Sequence, residues 1–267
     1  MVDVNTRAQP SAPRVALVTG ASRGIGKAIA ARLAERGLRI AVHYRNNRSA
    51  AEATLAALAG SGHALFAADL ADAAATARLW REALGHFGAI DVLVNNAGLF
   101  VEHPPLRTDY ESWRSTWALT LSANLVGPAN LSFLAAQGMA ARKPVNAAFG
   151  RGRIVNISSR GAFRGEPDAP AYGASKAGLN ALSQSLAKAL APNAVLVYCI
   201  APGWVETEMA TGHLNGPDAR AILEQHPLGR VSQPEEIAQA AVYCALDAPA
   251  AMTGCFIDVN GASYLRT

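Results

Sequence analysis

The chain has 267 residues, of which 51% are hydrophobic and 16% are charged. This composition excludes intrinsic disorder, because there are enough apolar side chains to offset the entropy lost on folding. The 23 glycines and 14 prolines exclude collagen-like and low-complexity proteins. The net charge of +4 comes from scattered basic residues without a Lys/Arg run, so no nucleic-acid partner is expected.

Apolar runs and cysteine usage set the expected location. No run of about 18 consecutive apolar residues occurs, so no membrane span is expected. The opening residues MVDVNTRAQPSAPR lack an apolar signal core. Cys199, Cys244 and Cys255 lie in apolar stretches, as is typical of free thiols in a reducing compartment. We therefore expect a cytoplasmic protein.

The histidines show no metal-ligand spacing. We expect them on the surface or in loops, and we expect no metal site. They are His43, His63, His86, His103, His213 and His226.

Residues 1–13 are predicted to be a flexible N-terminal tail, and residues 14–267 a single domain. The predicted strands are 14–19, 38–44, 64–68, 90–94, 153–157, 195–200 and 256–259. The predicted helices are 24–37, 49–59, 72–88, 110–141, 171–190 and 234–246. Short apolar strands that alternate with helices predict an α/β fold, in which a parallel sheet is covered by helices on both faces.

Local signals mark several of these boundaries. Ser49 and Glu52 have the spacing of a capping box, which predicts a helix start at Ser49. Asp72 can cap the third helix, and Gly37 is the expected stop of the first. The basic segment 138–151 is predicted to be a surface loop.

A glycine-rich turn, Thr19–Gly26 (TGASRGIG), joins the first strand to the first helix. The backbone N–H groups of such a turn can approach a pyrophosphate, and the helix dipole favours an anion there. The spacing Gly-x-x-x-Gly-x-Gly departs from the more general Gly-x-Gly-x-x-Gly. The alternative is a tight turn whose glycines serve only helix–sheet packing. Its place between a strand and a helix favours a dinucleotide cofactor.

This turn resembles the cofactor motif of the short-chain dehydrogenase/reductase family, and four further matches follow in that family's order. They are Asn95-Asn96-Ala97-Gly98, Asn124 in LSANLVG, the set Ser159, Tyr172 and Lys176, and Pro202-Gly203 with Thr207. The resemblance covers about residues 14–262. It implies a doubly wound Rossmann domain with about seven parallel strands. It also implies hydride transfer between a nicotinamide dinucleotide and a carbonyl/alcohol pair, as in 3-oxoacyl carrier-protein reductases and related ketone or sugar-alcohol oxidoreductases.

The candidate catalytic residues are Asn124, Ser159, Tyr172 and Lys176. Tyr172 and Lys176 share one face of a predicted helix, and a nearby ammonium is expected to lower the pKa of the tyrosine. Tyr172 would then exchange a proton with the substrate oxygen, and Ser159 would hydrogen-bond the same oxygen, with Ser158 as the alternative serine. The resemblance implies that Lys176 also holds the nicotinamide ribose and that Asn124 holds a water linking Lys176 to solvent.

Simpler explanations exist for each of these residues. A lone Tyr-x-x-x-Lys usually marks an amphipathic helix face with a lysine that extends to solvent. Asn124 could be an ordinary helix amide facing solvent. The other motifs favour the catalytic interpretation.

The resemblance assigns cofactor contacts to several loops. Asp69 would contact the adenine amino group, Asn96 to Gly98 the adenosine ribose, and Val205 and Thr207 the nicotinamide carboxamide. The alternatives are a helix cap at Asp69 and a plain loop at 202–207. The full set is Gly20, Ser22, Arg23, Gly24, Ile25, Gly26, Arg45, Asp69, Leu70, Asn96, Ala97, Gly98, Tyr172, Lys176, Pro202, Gly203, Val205 and Thr207.

The end of the second strand bears on which cofactor is used. NAD-preferring sites commonly place a carboxylate there, but the first one in this chain is Glu52. Arg45 is placed to meet a 2′-phosphate, with Arg23 as the second candidate and Arg48 as the third, because guanidinium groups suit phosphate. NADP(H) is therefore favoured. NAD(H) is the alternative if Arg45 is only a solvated loop residue.

Residues expected near the substrate form no recognisable pattern, so they do not identify it. They include Phe163, Glu166, Trp204, Met209 and His213. The partner is expected to be a small carbonyl or alcohol. Alternative functions are an NAD-dependent sugar or alcohol dehydrogenase, a sugar-nucleotide epimerase or dehydratase, and a catalytically silent dinucleotide sensor.

The resemblance also implies a homotetramer. The alanine-rich helices predicted at 110–141 and 171–190 offer small side chains for close packing between subunits. Such assemblies are usually closed and symmetric.

Overall fold

A computed structural model of the protein describes residues 13–266. The predicted tail therefore lies outside the described residues, apart from Pro13. Seven strands form one parallel sheet in the order β3-β2-β1-β4-β5-β6-β7. They are β1 Val15–Val18, β2 Arg39–Tyr44, β3 Ala64–Ala67, β4 Val92–Asn95, β5 Gly152–Ile157, β6 Val195–Pro202 and β7 Phe256–Val259. The predicted seven-stranded doubly wound α/β fold is confirmed.

Helices cover both faces of this sheet. They are α1 Gly24–Glu35, α2 Arg48–Ala57, α3 Ala73–Phe87, α4 Tyr110–Leu121, α5 Gly127–Ala140, α6 Gly161–Arg164, α7 Pro170–Leu190, α8 Thr211–Leu214, α9 Ala219–Glu224 and α10 Pro234–Val242. The sequence analysis missed the short helices α6, α8 and α9, which lie in the loops that follow β5 and β6.

Strand side chains pack in two clusters, one on each face of the sheet. Val18 and Val94 lie in the cluster with α1 and α10, whereas Leu17 and Leu93 lie in the cluster with α3 and α5. Successive side chains of a strand point to opposite faces, so a strand covered on both faces must be apolar throughout. This explains the continuous apolar runs in the sequence.

The predicted start of the second helix at Ser49 is wrong. The helix begins at Arg48, and the Asn47 side chain accepts a hydrogen bond from the Ala50 N–H. Glu52 forms an ion pair with Arg48 at 2.8 Å and so does not close a capping box. The predicted cap at Asp72 is present, since its carboxylate accepts from the N–H groups of Ala74 and Ala75.

The long helix predicted at 110–141 contains one widened turn. Residues Ser122–Val126 form a π-helical segment between α4 and α5, closed by a hydrogen bond from the Gly127 N–H to the Ser122 carbonyl. Pro128 follows and has no N–H to donate, which favours a break in the regular pattern. The widened turn carries Asn124, and that side chain is fully buried.

The same stretch, Tyr110–Ala140, is long and apolar enough to cross a membrane by length and composition alone. This is weak evidence, because a core helix of a soluble protein passes the same test. In the structure the α5 residues Leu131 and Met139 are buried against the sheet. The expected absence of a membrane span stays a prediction.

Residues 138–140 end α5, and residues 143–148 are exposed, as expected of a surface loop, but the end of the segment is anchored. Phe149 is buried in the core. The buried guanidinium of Arg153 donates to the carbonyls of Ala148 and Cys244 at 2.9 Å each. These bonds hold the end of the segment against the start of β5 and against the residues that follow α10.

Candidate active site

A cleft of about 590 Å³ opens at the carboxyl ends of the strands, a size common for small-molecule sites. From β1 the sheet grows first toward β3 on one side and then, from β4 onward, on the other side. Ligands bind at such a change of direction in open α/β sheets. Every predicted cofactor residue lines this cleft, as do Ser159, Tyr172 and Lys176. Asn124 does not line it and lies behind its wall.

Thr19 joins the glycine turn to the motif that follows β4. Its hydroxyl donates to the Val94 carbonyl at 3.1 Å and accepts from the N–H groups of Asn96 and Ala97 at 2.9 and 3.0 Å. The Asn96 side chain donates back to the Thr19 carbonyl at 2.8 Å. The two cofactor motifs therefore form one rigid unit.

The glycine turn has the shape that an anion site requires. Gly20 and Gly24 adopt φ values of +64° and +52°, which favour glycine. A Cβ at Gly26 would lie 2.2 Å from the Gly20 carbonyl oxygen, so packing also requires a glycine there. Helix α1 begins with no side-chain cap at Arg23 and no acidic residue in its first turn. Its N–H groups are thus open toward the cleft, and the turn fits a dinucleotide pyrophosphate.

His43 supports the glycine turn from below, a role that the sequence analysis missed. Its Nδ1 accepts from the Gly20 N–H at 3.0 Å, and its Nε2 lies 3.1 Å from the Ala68 carbonyl. Burial lowers the pKa of His43 to about 4, so the ring is neutral near pH 7. The signal was its place inside the apolar run of β2.

The expectation that the histidines lie on the surface or in loops is wrong for His43, which is buried within β2. His103 and His226 lie in loops, as expected, but they are buried as well. Each of the three makes a hydrogen bond to backbone groups. These bonds compensate for the burial of a polar ring. Within residues 13–266, no group of three or more His, Cys, Asp or Glu side chains could hold a metal ion.

The adenosine end of the cleft is lined by residues that follow β2 and β3. Asp69 accepts a hydrogen bond from the Ala71 N–H at 2.9 Å, so its cap role exists alongside its place in the cleft wall. Leu70 is buried against Gly127, where a Cβ would lie 2.6 Å from the Leu70 carbonyl oxygen. The wall is therefore packed closely at this point.

The three arginine candidates differ in their partners. Arg23 forms an exposed ion pair with Glu208 at 2.8 Å, and Arg48 is paired with Glu52 outside the residues that line the cleft. Arg45 lines the cleft and makes no ion pair within residues 13–266. Of the three, Arg45 alone brings an unneutralised positive charge to the cleft.

Ser159, Tyr172 and Lys176 meet where β5 and α7 approach the cleft. The Ser159 hydroxyl accepts from the Gly161 N–H at 3.0 Å and hydrogen-bonds the Tyr172 phenol. Lys176 Nζ donates to the Ile157 carbonyl at 2.9 Å and lies 5.7 Å from the centre of the Tyr172 ring.

The expectation that Lys176 lowers the pKa of Tyr172 is wrong, because burial outweighs it. Burial raises the pKa of Tyr172 to about 12, and the hydrogen bond with Ser159 opposes this rise. Burial also lowers the pKa of Lys176 to about 8. The lysine ammonium is directed to the Ile157 carbonyl, so desolvation dominates both side chains.

The neighbouring serine is committed elsewhere. The Ser158 hydroxyl donates to Asn180 Oδ1 at 2.6 Å and is buried. Ser159, by contrast, contacts Tyr172 directly. The geometry therefore favours Ser159 over Ser158 as the serine that reaches the substrate.

Asn124 holds the loop that follows β4. Its Oδ1 accepts from the Leu99 N–H and its Nδ2 donates to the Leu99 carbonyl, both at 2.9 Å. A Cβ at Gly98 would lie 3.4 Å from Asn124 Oδ1 and 3.5 Å from Lys176 Nζ, so both side chains border Gly98. The alternative of a solvent-facing amide is wrong. The water-holding role stays a prediction.

An aromatic group borders Tyr172 on the side away from the glycine turn. Phe100, which the sequence analysis missed, packs edge-on against Tyr172 at 5.1 Å and His213 at 5.8 Å. His213 also contacts Trp204 at 5.2 Å and lies 3.7 Å from Glu102. These contacts join the loop after β4 to the segment after β6.

Only some of the residues predicted to lie near the substrate line the cleft. Glu166, Trp204, Met209 and His213 line it, and burial raises the pKa of Glu166. Phe163 does not line it. Its ring packs against Phe256 and Tyr264 at 6.0 and 6.4 Å, because the C-terminal turn covers α6.

The pKa of Lys176 predicts how stability depends on pH. A lysine whose pKa is about 8 when folded and 10.5 when unfolded destabilises the fold below pH 8, where it is charged in both states. This penalty is relieved as the pH rises from 8 toward 10.5, by at most on the order of 3 kcal/mol.

We expect the free energy of unfolding of the cofactor-free protein, relative to that of Lys176→Met, to rise between pH 7.5 and 9.5. Denaturant unfolding measures both proteins. A difference that stays constant over this range would contradict the assigned burial effect.

Comparison with known proteins agrees with this geometry. A family profile described as "Enoyl-(Acyl carrier protein) reductase" matches residues 20–262. The chain is 38% identical over 255 residues to a 3-oxoacyl-[acyl-carrier-protein] reductase of Synechocystis sp., which covers 94% of this chain and 97% of the relative. It is 36% identical over 252 residues to 3-oxoacyl-[acyl-carrier-protein] reductase FabG of Staphylococcus aureus, with 94% and 98% covered.

A FabG protein of Vibrio cholerae is 35% identical over 252 residues, which are 94% of this chain and 98% of the relative. Identities of this size along nearly the whole length, together with the family match, leave one assignment. The chain belongs to the short-chain dehydrogenase/reductase family, and it is an NAD(P)-dependent oxidoreductase that acts on C=O/CH–OH groups.

Proposed function

We propose that the protein reduces the ketone of a 3-oxoacyl thioester with NADPH, and that Tyr172 is the general acid. This proposal rests on one observation. Ser159, Tyr172 and Lys176 line the same cleft as the glycine turn. A proton donor, an oxygen-binding hydroxyl and a cofactor cradle are the parts that carbonyl reduction needs.

The names of the relatives support the choice of substrate. Three relatives over nearly the full length are named 3-oxoacyl-[acyl-carrier-protein] reductases, whereas the family description names enoyl reduction. In ketone reduction the oxygen that gains negative charge also receives the proton, whereas reduction of an enoyl thioester delivers its proton to carbon. The hydroxyls of Ser159 and Tyr172 suit an oxygen that receives a proton, and this favours the ketone.

The protonation state of Tyr172 suits a general acid. A pKa of about 12 keeps the phenol protonated near pH 7, so it holds the proton that the reduced oxygen must receive. Ser159 binds the same oxygen and stabilises its developing charge. The bound dinucleotide supplies the hydride.

Lys176 and Asn124 act behind the tyrosine. A pKa of about 8 lets Lys176 gain and lose a proton near physiological pH. Asn124 holds the loop at Leu99 and, like Lys176, borders Gly98. We assign Asn124 the role of holding a water that links Lys176 to solvent.

The glycine turn would hold the pyrophosphate of the cofactor. Asp69 and Leu70 would hold its adenosine end, and its nicotinamide end would be held by Pro202, Gly203, Val205 and Thr207. Arg45 supplies the positive charge that a 2′-phosphate needs, so NADP(H) is the favoured cofactor. NAD(H) remains the alternative.

A substrate screen tests the assigned reaction. NADPH and NADH are offered with a 3-oxoacyl thioester, an enoyl thioester, and sugar, steroid and aromatic carbonyls. Oxidation of NADPH with the 3-oxoacyl thioester is expected to be fastest. Faster reduction of the enoyl thioester would overturn the substrate. Clear cofactor binding without any turnover would favour the silent dinucleotide sensor.

Replacing Tyr172 by phenylalanine tests the proton donor. Tyr172→Phe keeps the ring and removes the transferable proton, so we expect kcat to fall by at least about 10²-fold, the usual size of a general-acid contribution. The Kd of the cofactor, measured by nicotinamide fluorescence, should change little. Tyr243→Phe, outside the cleft, is the control. Near-normal turnover of Tyr172→Phe would reject the assignment.

Replacing Arg45 tests the cofactor assignment. The ratio of kcat/KM for NADPH to that for NADH is expected to favour NADPH and to fall by about tenfold or more in Arg45→Ala, because a charge-assisted hydrogen bond is lost. Arg48→Ala is the matched control, since that guanidinium is paired with Glu52 outside the cleft. Wild-type preference for NADH, or an unchanged ratio in Arg45→Ala, would count against the role.

We also propose a cytoplasmic homotetramer whose partner is a small carbonyl or alcohol, without nucleic acid or membrane. The stretch 110–140 exposes apolar side chains that association would cover. They are Tyr110, Leu119, Val126 and Phe133. Light scattering at micromolar concentration is expected to give the mass of a tetramer, and a monomer would contradict this assembly.

A further inference from the structure

One backbone N–H in the first turn of α7 donates to a side chain outside the helix. Pro170 has no N–H, and the N–H groups of Tyr172 and Gly173 both bond to the Ala169 carbonyl, at 2.9 and 3.2 Å. The N-cap residue Ala169 provides no side-chain cap. The remaining N–H, that of Ala171, donates to His103 Nε2 at 3.2 Å.

The hydrogen bonds of His103 identify its tautomer. Nδ1 lies 2.9 Å from the Val101 carbonyl, an acceptor that requires the proton to be on Nδ1. Nε2 therefore carries the lone pair that the Ala171 N–H meets. Only 2% of His103 is exposed, and Trp113 and Trp117 pack on its ring at 5.3 and 6.5 Å. The ring is therefore held in one orientation.

The loop that contains His103 touches the catalytic helix at two further points. The His103 N–H donates to the Asp168 carbonyl at 2.7 Å, just before the helix. Phe100 packs its ring against Tyr172 at 5.1 Å. The loop thus holds Tyr172 both through the backbone that precedes it and through its ring.

We propose that His103 is a positioning residue that fixes the start of α7 and thereby aims the Tyr172 hydroxyl at the substrate oxygen. Its acceptor nitrogen takes the place of the missing N-cap side chain, next to the residue that carries the proton. The proposal rests on the proposed role of Tyr172. A small displacement of a reacting group is enough to lower a rate by about 10²-fold.

Three substitutions of His103 separate the hydrogen bond from packing. His103→Phe keeps a ring against the tryptophans and removes the acceptor. His103→Gln extends an amide oxygen to the distance of Nε2, whereas His103→Asn reaches only the position of Nδ1. His63→Phe is the matched control, because it removes a bond of the same kind, from the Ile40 N–H at 3.0 Å, outside the cleft.

We expect kcat to fall by at least about tenfold in His103→Phe and His103→Asn, with His103→Gln close to wild type. The Kd of NADPH should be unchanged in all three, since no cofactor residue is altered, and His63→Phe should keep its kcat. Wild-type kcat in His103→Phe would overturn the proposal. So would a loss in His103→Gln as large as that in His103→Phe, because the acceptor would then not be the cause.

Amide hydrogen exchange of residues 170–176 provides a second measurement that needs no substrate. Exchange should be faster in His103→Phe and His103→Asn than in wild type and His103→Gln. Equal exchange in all four proteins would overturn the anchor. If wild type reduces no carbonyl at all, the proposed function fails, while the exchange experiment still decides whether His103 holds the helix.

Discussion

A single threonine hydroxyl joins the two strands between which the cleft opens. Thr19 follows β1, and its oxygen bonds the Val94 carbonyl and the N–H groups of Asn96 and Ala97. The Val94 carbonyl also accepts from the Thr19 N–H at 3.0 Å. The hydroxyl therefore adds bonds to the end of β4 beyond the last backbone bond of the sheet. The glycine turn above it can therefore stay open toward a ligand while its base is held.

A buried amide relay extends this constraint to the catalytic strand. Asn95 Nδ2 donates to Ser132 on α5 at 3.0 Å and to Asn156 on β5 at 2.8 Å. Asn156 in turn donates to Ser183 on α7 at 2.8 Å. Directional bonds between buried polar groups fix one arrangement more sharply than apolar packing does. The elements that carry Ser159 and Tyr172 are thereby held in register with the cofactor end.

The sequence predicts well what depends on periodicity and spacing. The strands follow from apolar runs, and motifs at defined positions predict residues that the fold brings together in one cleft. Their cofactor and catalytic roles stay predictions. Contacts between distant segments could not be predicted. His43 meets Gly20, and His103 meets Ala171 across 68 positions, so no local pattern announces either bond. The wrong helix start at Ser49 is a local error of another kind, because Asn47 was an equally good cap two residues earlier.

Burial raises the pKa of Tyr172 to about 12 and lowers the pKa of Lys176 to about 8. An ion pair between the two side chains would shift both values the other way. Desolvation therefore favours the neutral form of both. The Lys176 Nζ donates to the Ile157 carbonyl at 2.9 Å. In the proposed reaction, the proton on Tyr172 is retained until an oxygen that gains negative charge lies close to it. Proton transfer would then depend on where the hydroxyl points, and in our proposal the backbone at the start of α7 sets that direction.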